Sequence, residues 1–334
     1  MANVIVTLPE QETEKYELFL KPFLDDPAIT AVPYNIELLE FKNSEMYFNT
    51  HPDKIGSQKT TCGWTYNGSS VFTKKTVVPI TVQAAFEQCY TYFENTIFAS
   101  KMKSGWEIGE LTPEIVNYLI DERAYAFNRD LLTWFFLGDT ASASAYYDTM
   151  DGMFKKLLAG VAAVDGTVDM GAVTASDLAP NSFYDTMKAI KNGQTRQLKG
   201  TSNDKKVWQW TYAVYEKYID YLESSTQGTA GIVQRDHIEN GITSNRFLGI
   251  PIFAPQIVDE RLLEDFTTGS PAVTENEFAI ILTDPTNHHF FMDGGLTKTK
   301  TWYSDDDDVY RIAGSTKIFY EYGFGDQNVI AGIS

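Results

Sequence analysis

The sequence predicts an α+β protein, with a long helix and a strand-rich closing region separated by a smaller mixed unit. Three observations carry this. Residues 112–140, TPEIVNYLIDERAYAFNRDLLTWFFLGDT, repeat apolar residues at helical spacing and then stop abruptly. From Glu277 to the end the chain alternates in the period of strands, as in Ile318, Tyr320, Tyr322 and Phe324 against Lys317, Phe319 and Glu321. Between these regions, helical patterns alternate with the short apolar runs GTAGIV at 228–233 and LGIPIFAP at 248–255.

Residues 1–40 read as an N-terminal arm: a short helical pattern through Tyr16, Phe19 and Leu20 ends at Pro22, and Pro27 and Pro33 follow. Residues 41–80 show little helical period and are broken by Gly56, Gly63 and Gly68. Asn67-Gly68 lies between GWTY and SSVF, and Asn-Gly between β-prone runs signals a hairpin because both turn residues need positive φ. Large apolar side chains are too few here for a core, so the stretch reads as an extended β-hairpin loop that must lie on something else.

After Pro79 a helical pattern is expected, with Val82, Ala85, Phe86, Cys89, Phe93 and Ile97 on one side. The main helix is expected over 112–137, about 38 Å long at 1.5 Å per residue. Thr112 is a suitable N-cap and Pro113 suits the first turn, where no amide donor is needed. Val116, Ile120, Phe127, Leu131 and Phe135 form its stripe, and Asn128 falls on the other face. The stripe widens toward Trp134-Phe135-Phe136, so that end should be the more deeply packed. Gly138 is placed as the left-handed residue after the helix.

A short helix is expected over 153–159, followed by irregular or extended chain to 180. Two further helical patterns follow, one through Phe183, Met187 and Ile190, the other through Trp208, Tyr212, Tyr215, Ile219 and Leu222. Residues 161–260 therefore read as an inserted α/β unit.

A formal charge of −18 disfavours a nucleic-acid groove or an anionic membrane surface. KKTVV at 74–78 and KTK at 298–300 are too short to reverse it. The 19 Tyr and 21 Phe suit extensive interfaces as well as a large core. Cys62 and Cys89 match neither a disulfide framework nor a zinc motif. The first 19 residues do not read as a secretory signal, and no window is apolar enough to span a bilayer.

Asp284, His288, His289 and Asp293 are the only cluster suggestive of a metal, but adjacent histidines on a strand point to opposite faces. They read instead as surface or interface histidines. The run Asp305–Asp308 lacks the alternating spacing of a calcium loop and reads as a solvated turn. None of the patterns GxSxG, GxxxxGK[ST], HExxH or GxGxxG occurs. The reading is therefore of a protein that is not an enzyme, with no catalytic, cofactor-binding or metal residues and no cofactors.

The order of these parts resembles the major capsid proteins of tailed phages, the Hong Kong 97 phage fold. Residues 112–140 look like the family's spine helix with its Gly-Asp-Thr stop. LGIPIFAP resembles the strand that leaves the axial domain, FAIILTDPTNHHFFMDG at 278–294 the return into the peripheral domain, and residues 298–333 its closing strands. The resemblance implies an N-terminal arm at 1–40, an extended hairpin loop at 41–80, a peripheral domain from 81–160 and 261–334, and an axial domain at 161–260. The spine helix would dock its apolar end between a sheet and a neighbouring helix.

The implied function is a structural shell protein that self-assembles into hexamers and pentamers around double-stranded DNA, without sequence-specific binding and without a membrane. Portal, scaffolding and decoration proteins are the implied partners, the virion capsid the implied location, and the bacterial host cytoplasm the place of assembly. Forty residues are too few for the large N-terminal assembly domain of some members. Some members also join subunits through lysine–asparagine isopeptide bonds; Lys54, Lys59, Lys74 and Lys75 lie in the hairpin, but no matching asparagine or supporting acid is found and no crosslink is inferred. An encapsulin-type compartment shell and an acidic α+β enzyme are the alternative readings.

Overall fold

The computed structural model describes residues 5–6, 33–39, 45–50, 71–89, 126–142, 144–224, 246–255, 258, 277–293, 298–304 and 309–333. In chain order, β1 (Ile5–Val6), β2 (Asn35–Leu39), β3 (Glu45–Thr50), β4 (Val71–Thr76) and β5 (Ile80–Cys89) precede the helical stretch α1 (126–137). Then come α2 (Met153–Ala163), β6 (Val168–Asp169), α3 (Phe183–Asn192), α4 (Arg196–Gly200), β7 (Val207–Trp210) and α5 (Tyr212–Ser224). The chain continues through β8 (Arg246–Phe247), β9 (Ile250–Phe253), β10 (Ile280–Thr283), β11 (His288–Asp293), β12 (Lys298–Ser304), β13 (Val309–Tyr322) and β14 (Asn328–Ala331). The fold class is mixed α+β.

The first sheet has the order β1-β2-β11-β13-β12, with β5 also on β13. The 14-residue β13 is its axis: β12 pairs antiparallel with 309–315 and β11 with 318–322, while β5 pairs with 309–318. The expected helix after Pro79 is thus a strand as far as Cys89. Its described side chains alternate, with Val82 buried between exposed Thr81 and Gln83. Val82 and Phe86 satisfy helical and strand periods alike, and pairing with β13 decides between them. Residues 90–97 lie outside the described set.

The second sheet has the order β6-β14-β10-β7-β9-β8. It draws strands from 280–283 and 328–331 as well as from the expected inserted unit, and it is mixed, with β10 antiparallel to β7 and β14 and β7 parallel to β9. Trp208, expected on a helix, stands in β7. All four residues of β7, β10 and β14 are buried, the mark of strands covered on both faces. Val207, Ile281 and Ile330 face one core; Trp208, Trp210, Ile280, Leu282 and Val329 face the other. That second core is closed by Phe183, Met187 and Ile190 of α3, at helical spacing, and by Val214, Tyr215 and Tyr218 of α5.

The first core explains the run Leu-Leu-Thr-Trp-Phe-Phe-Leu. Every residue from 131 to 139 is buried. Phe135 meets Phe290 and Tyr320 of the first sheet at ring distances of 5.0 and 5.1 Å, while Phe136 meets Phe253 of the second at 6.3 Å. The end of α1 is therefore wedged between two sheets, with Met153, Phe154 and Leu157 of α2 also in the core. A helix with sheets on opposite sides has no solvent face, so its stripe closes into a full ring. Asn128, expected on an exposed face, is buried as well, although Ala126 before it is exposed and Arg129 and Asp130 after it are half-buried. Residues 112–125 lie outside the described set.

β3 and β4 form a separate two-stranded antiparallel sheet, from Glu45 opposite Thr76 to Thr50 opposite Val71. This is the stem of the expected hairpin. Asn67-Gly68 lies outside the described residues, as do GTAGIV, Cys62, Lys54, Lys59 and Asp305–Asp308. α2 runs to Ala163, four residues beyond its expected end, and β6 occupies part of the expected irregular stretch.

Candidate functional site

Three constructions hold these parts together. The first is the stop after α1. Gly138 does not take a left-handed conformation, contrary to expectation. Its requirement is space: a Cβ there would lie 2.2 Å from the Met150 carbonyl oxygen and 2.6 Å from that of Trp134. Gly152 N–H donates to the Gly138 carbonyl and Asp139 N–H to that of Tyr147. The Asp139 carboxylate accepts from Ala141 N–H at 2.8 Å and pairs with Lys155 at 3.0 Å. Asp151 accepts from the Thr140 amide and hydroxyl. The sequence Gly-Asp-Thr is thus a turn in which every member has a role.

The second construction is the base of the hairpin. Lys75, at the end of β4, pairs with Glu321 Oε1 at 3.1 Å, donates to the Tyr322 carbonyl at 2.7 Å and lies 4.2 Å above the Tyr322 ring. Lys156 of α2 takes the other carboxylate oxygen at 2.8 Å and donates to the Tyr320 carbonyl at 2.6 Å. One carboxylate on β13 therefore ties the hairpin and α2 to the first sheet. Tyr322 donates its hydroxyl proton to Asp165. Burial works to raise the Asp165 carboxyl, but bonds from Tyr322 and Thr167 hold it below its usual value. Val77, next along the chain, is buried, and Lys74 and Thr76 are exposed. The sequence reading missed Glu321; its one signal is a lone acid between two tyrosines in KIFYEYG.

The third is a polar seam between the sheets. His288 is fully buried, a correction to its expected surface position. Its Nε2 lies 2.8 Å from Thr283 Oγ1 and 2.9 Å from Asn328 Oδ1, and its Nδ1 lies 2.7 Å from the Tyr320 hydroxyl. Burial depresses its pKa to about 3. Tyr34 donates to Gln209 Oε1, bridging from the start of β2 to β7. His289 faces the other way, as strand geometry requires, and stacks on Phe291 at 5.9 Å. Asp284 spends its carboxylate on the Thr286 amide and hydroxyl. Among the described residues no three of His, Cys, Asp and Glu converge as a metal site. No helix among them is long and apolar enough to cross a membrane. The polar groups of these constructions are engaged with one another, which suits fixing parts in place.

No protein-family model matches the sequence, and no curated protein sequence does. Solved structures do match. A chain of the satellite phage P4 procapsid, in a structure that includes the size determination (Sid) protein, superposes with a TM-score of 0.61 at 13% identity, over 98% of this chain and 92% of that one. The capsid of a native GTA particle gives 0.52 at 10% identity, over 99% and 93%. A chain from Mycobacterium phage Ogopogo gives 0.50 at 12% identity, over 99% and 95%. At this level of identity the likeness is one of fold. The chain has a phage capsid-protein fold, in agreement with the resemblance drawn from the order of its parts.

Proposed function

We propose that this chain is the major capsid protein of a tailed phage, with the Hong Kong 97 phage fold. It is a structural protein, not an enzyme, and it self-assembles into hexamers and pentamers of an icosahedral shell around double-stranded DNA. The observation that carries this reading is the near-complete mutual coverage with the P4 procapsid chain, 98% and 92%, so the likeness is not confined to one shared subdomain. In this reading residues 1–40 are the arm and 41–80 the extended loop. Residues 81–160 and 261–334 are the peripheral domain with spine helix 112–137, and 161–260 the axial domain, completed by β10 and β14. The two-stranded stem β3–β4 supports an intermolecular role for the loop, since a lone hairpin is marginal in water and needs a surface to lie on, while the charged base fixes only where it leaves its own subunit.

The acidic charge suits a container that holds DNA without adhering to it. Portal, scaffolding and decoration proteins would be its partners, the virion its location, and the host cytoplasm its place of assembly. The test is size-exclusion chromatography and electron microscopy of the expressed chain, alone and with its neighbouring gene products. Hexamers, pentamers or shells are expected. A protein that stays monomeric or dimeric under all these conditions overturns the reading, and small shells filled with an enzyme redirect it to a compartment of the encapsulin type.

A further inference from the structure

Two short segments carry the backbone between the sheets, from Thr283 to His288 and from Tyr322 to Asn328. Each contains a single turn of 3-10 helix, Pro285–Asn287 and Gly325–Gln327. They are fastened side by side. Asn287 donates from Nδ2 to the Phe324 carbonyl at 2.9 Å and accepts at Oδ1 from the Phe324 N–H at 2.8 Å. Gly323 N–H donates to the Asn287 carbonyl at 2.9 Å, and Asn328 Nδ2 to the Phe324 carbonyl at 3.1 Å.

His288 sits at the junction of both crossings. Because Asn328 Nδ2 is turned to Phe324, its amide oxygen faces the imidazole, and an amide oxygen only accepts. Nε2 therefore carries the ring proton, and Nδ1 accepts from the Tyr320 hydroxyl. One neutral ring thus joins β10, β11, β13 and β14, two strands from each sheet.

We propose that the paired crossings form an acid-sensitive joint, in which neutral His288 fastens the two crossings to each other and its protonation frees them while the strands β7 and β10 stay paired.

A second proton has nowhere to go in the closed joint. On Nδ1 it would confront the Tyr320 hydroxyl, which must then surrender its donor role inside a fully buried site. The ionisable groups facing the ring are the Tyr320 and Tyr322 side chains from β13 and Tyr34 from the start of β2. Burial raises the pKa of all three, so they stay neutral and cannot compensate an imidazolium. From β10 and β14 the ring meets Thr283 and Asn328, which are uncharged. His289, its neighbour on β11, adds only repulsion. Opening the crossings lets water reach the ring and restores its ordinary affinity for a proton. The inference rests on the fold alone and survives if the capsid reading fails.

The experiment uses unassembled full-length protein with 15N-labelled histidine, in which four residues give few ring signals. Backbone hydrogen exchange is followed in parallel from about pH 7.5 to about pH 4.5, corrected for intrinsic rates, across the range in which an exposed histidine titrates. At neutral pH His288 should show the Nε2–H tautomer. Below about pH 6.5 the Gly323 and Phe324 amides should lose protection by about tenfold per pH unit, the dependence set by uptake of one proton. The amides of β7 and β10 should stay protected, and His288→Gln should abolish the pH dependence at the crossings. If that variant does not fold, the wild-type pH profile decides, since protection of Gly323 and Phe324 must begin to fall near the ordinary histidine pKa of about 6.5 and not only at carboxylate pH. Crossings that open only together with β7 and β10, or whose protection does not change between about pH 6.5 and about pH 5, overturn the proposal.

Discussion

The end of α1 and the base of the hairpin are fixed to adjacent residues of one strand by opposite means. Phe135 packs on Tyr320, inside a core shared by two sheets. Lys75 binds Glu321, at the margin of the same strand, where the Lys75 side chain retains 27% exposure. The apolar contact is non-directional and inseparable from the core, so it fails only when the core fails. The charged contact is directional, local and open to water, so it can be undone alone. A molecule that needs one part rigid and another adjustable can obtain both from neighbouring residues.

The comparison can be tested from its strong end to its weak end. Phe135→Ala should lower unfolding stability by about 3–5 kcal/mol, read from the urea midpoint, because neither sheet can collapse fully into the space left. A loss well under 1 kcal/mol would mean the helix is not wedged. Glu321→Gln should cost about 1–3 kcal/mol, since it leaves two part-buried ammonium groups without their shared carboxylate. The loss should be greatest in dilute salt. An unchanged midpoint would show the clamp to be ornamental.

Lys75→Met should change global stability by only about 0–1 kcal/mol, because Lys156 still neutralises Glu321 and the lost pair is partly exposed. Its effect should appear in limited proteolysis, as faster cleavage between Thr50 and Val71. Equal cleavage of both proteins would place the hairpin's anchorage elsewhere. In the proposed shell the smallest effect per copy, summed over many copies, is that of net charge. Subunits of charge −18 repel, over a screening length of about 8 Å in physiological salt but about 30 Å at 0.01 M. Assembly followed by light scattering should improve from low to moderate salt. A monotonic loss would show that attractive pairs of the Lys75–Glu321 kind dominate between subunits.

What could be read in the chain was what local pattern dictates. The stop of α1 after Leu137, the α3 stripe, and the alternation of Ile318, Tyr320 and Tyr322 all follow from periodicity. β5 was misread because Val82 and Phe86 fit both periods, and only its partner, more than 200 residues away, resolves the choice. Asn128 was misplaced because one stripe implies one buried face, whereas α1 buries Asn128 together with Phe127. Glu321, Lys156 and His288 acquire their roles from partners far off in sequence, which no local window contains. The Gly138 case is instructive in another way: the residue was singled out correctly, but its reason is the closeness of the Met150 carbonyl and not a left-handed turn.

The route of residues 309–331 has a mechanical consequence. β13 is bonded along both sides from 309 to 315, and β14 lies between β10 and β6, so one continuous segment forms an inner strand of each sheet. A pull along that segment loads its ladders in shear, and many hydrogen bonds must then yield together instead of peeling one by one. The chain thus contains a tendon, stiff against stretching along its length, with a short interruption at residues 323–327.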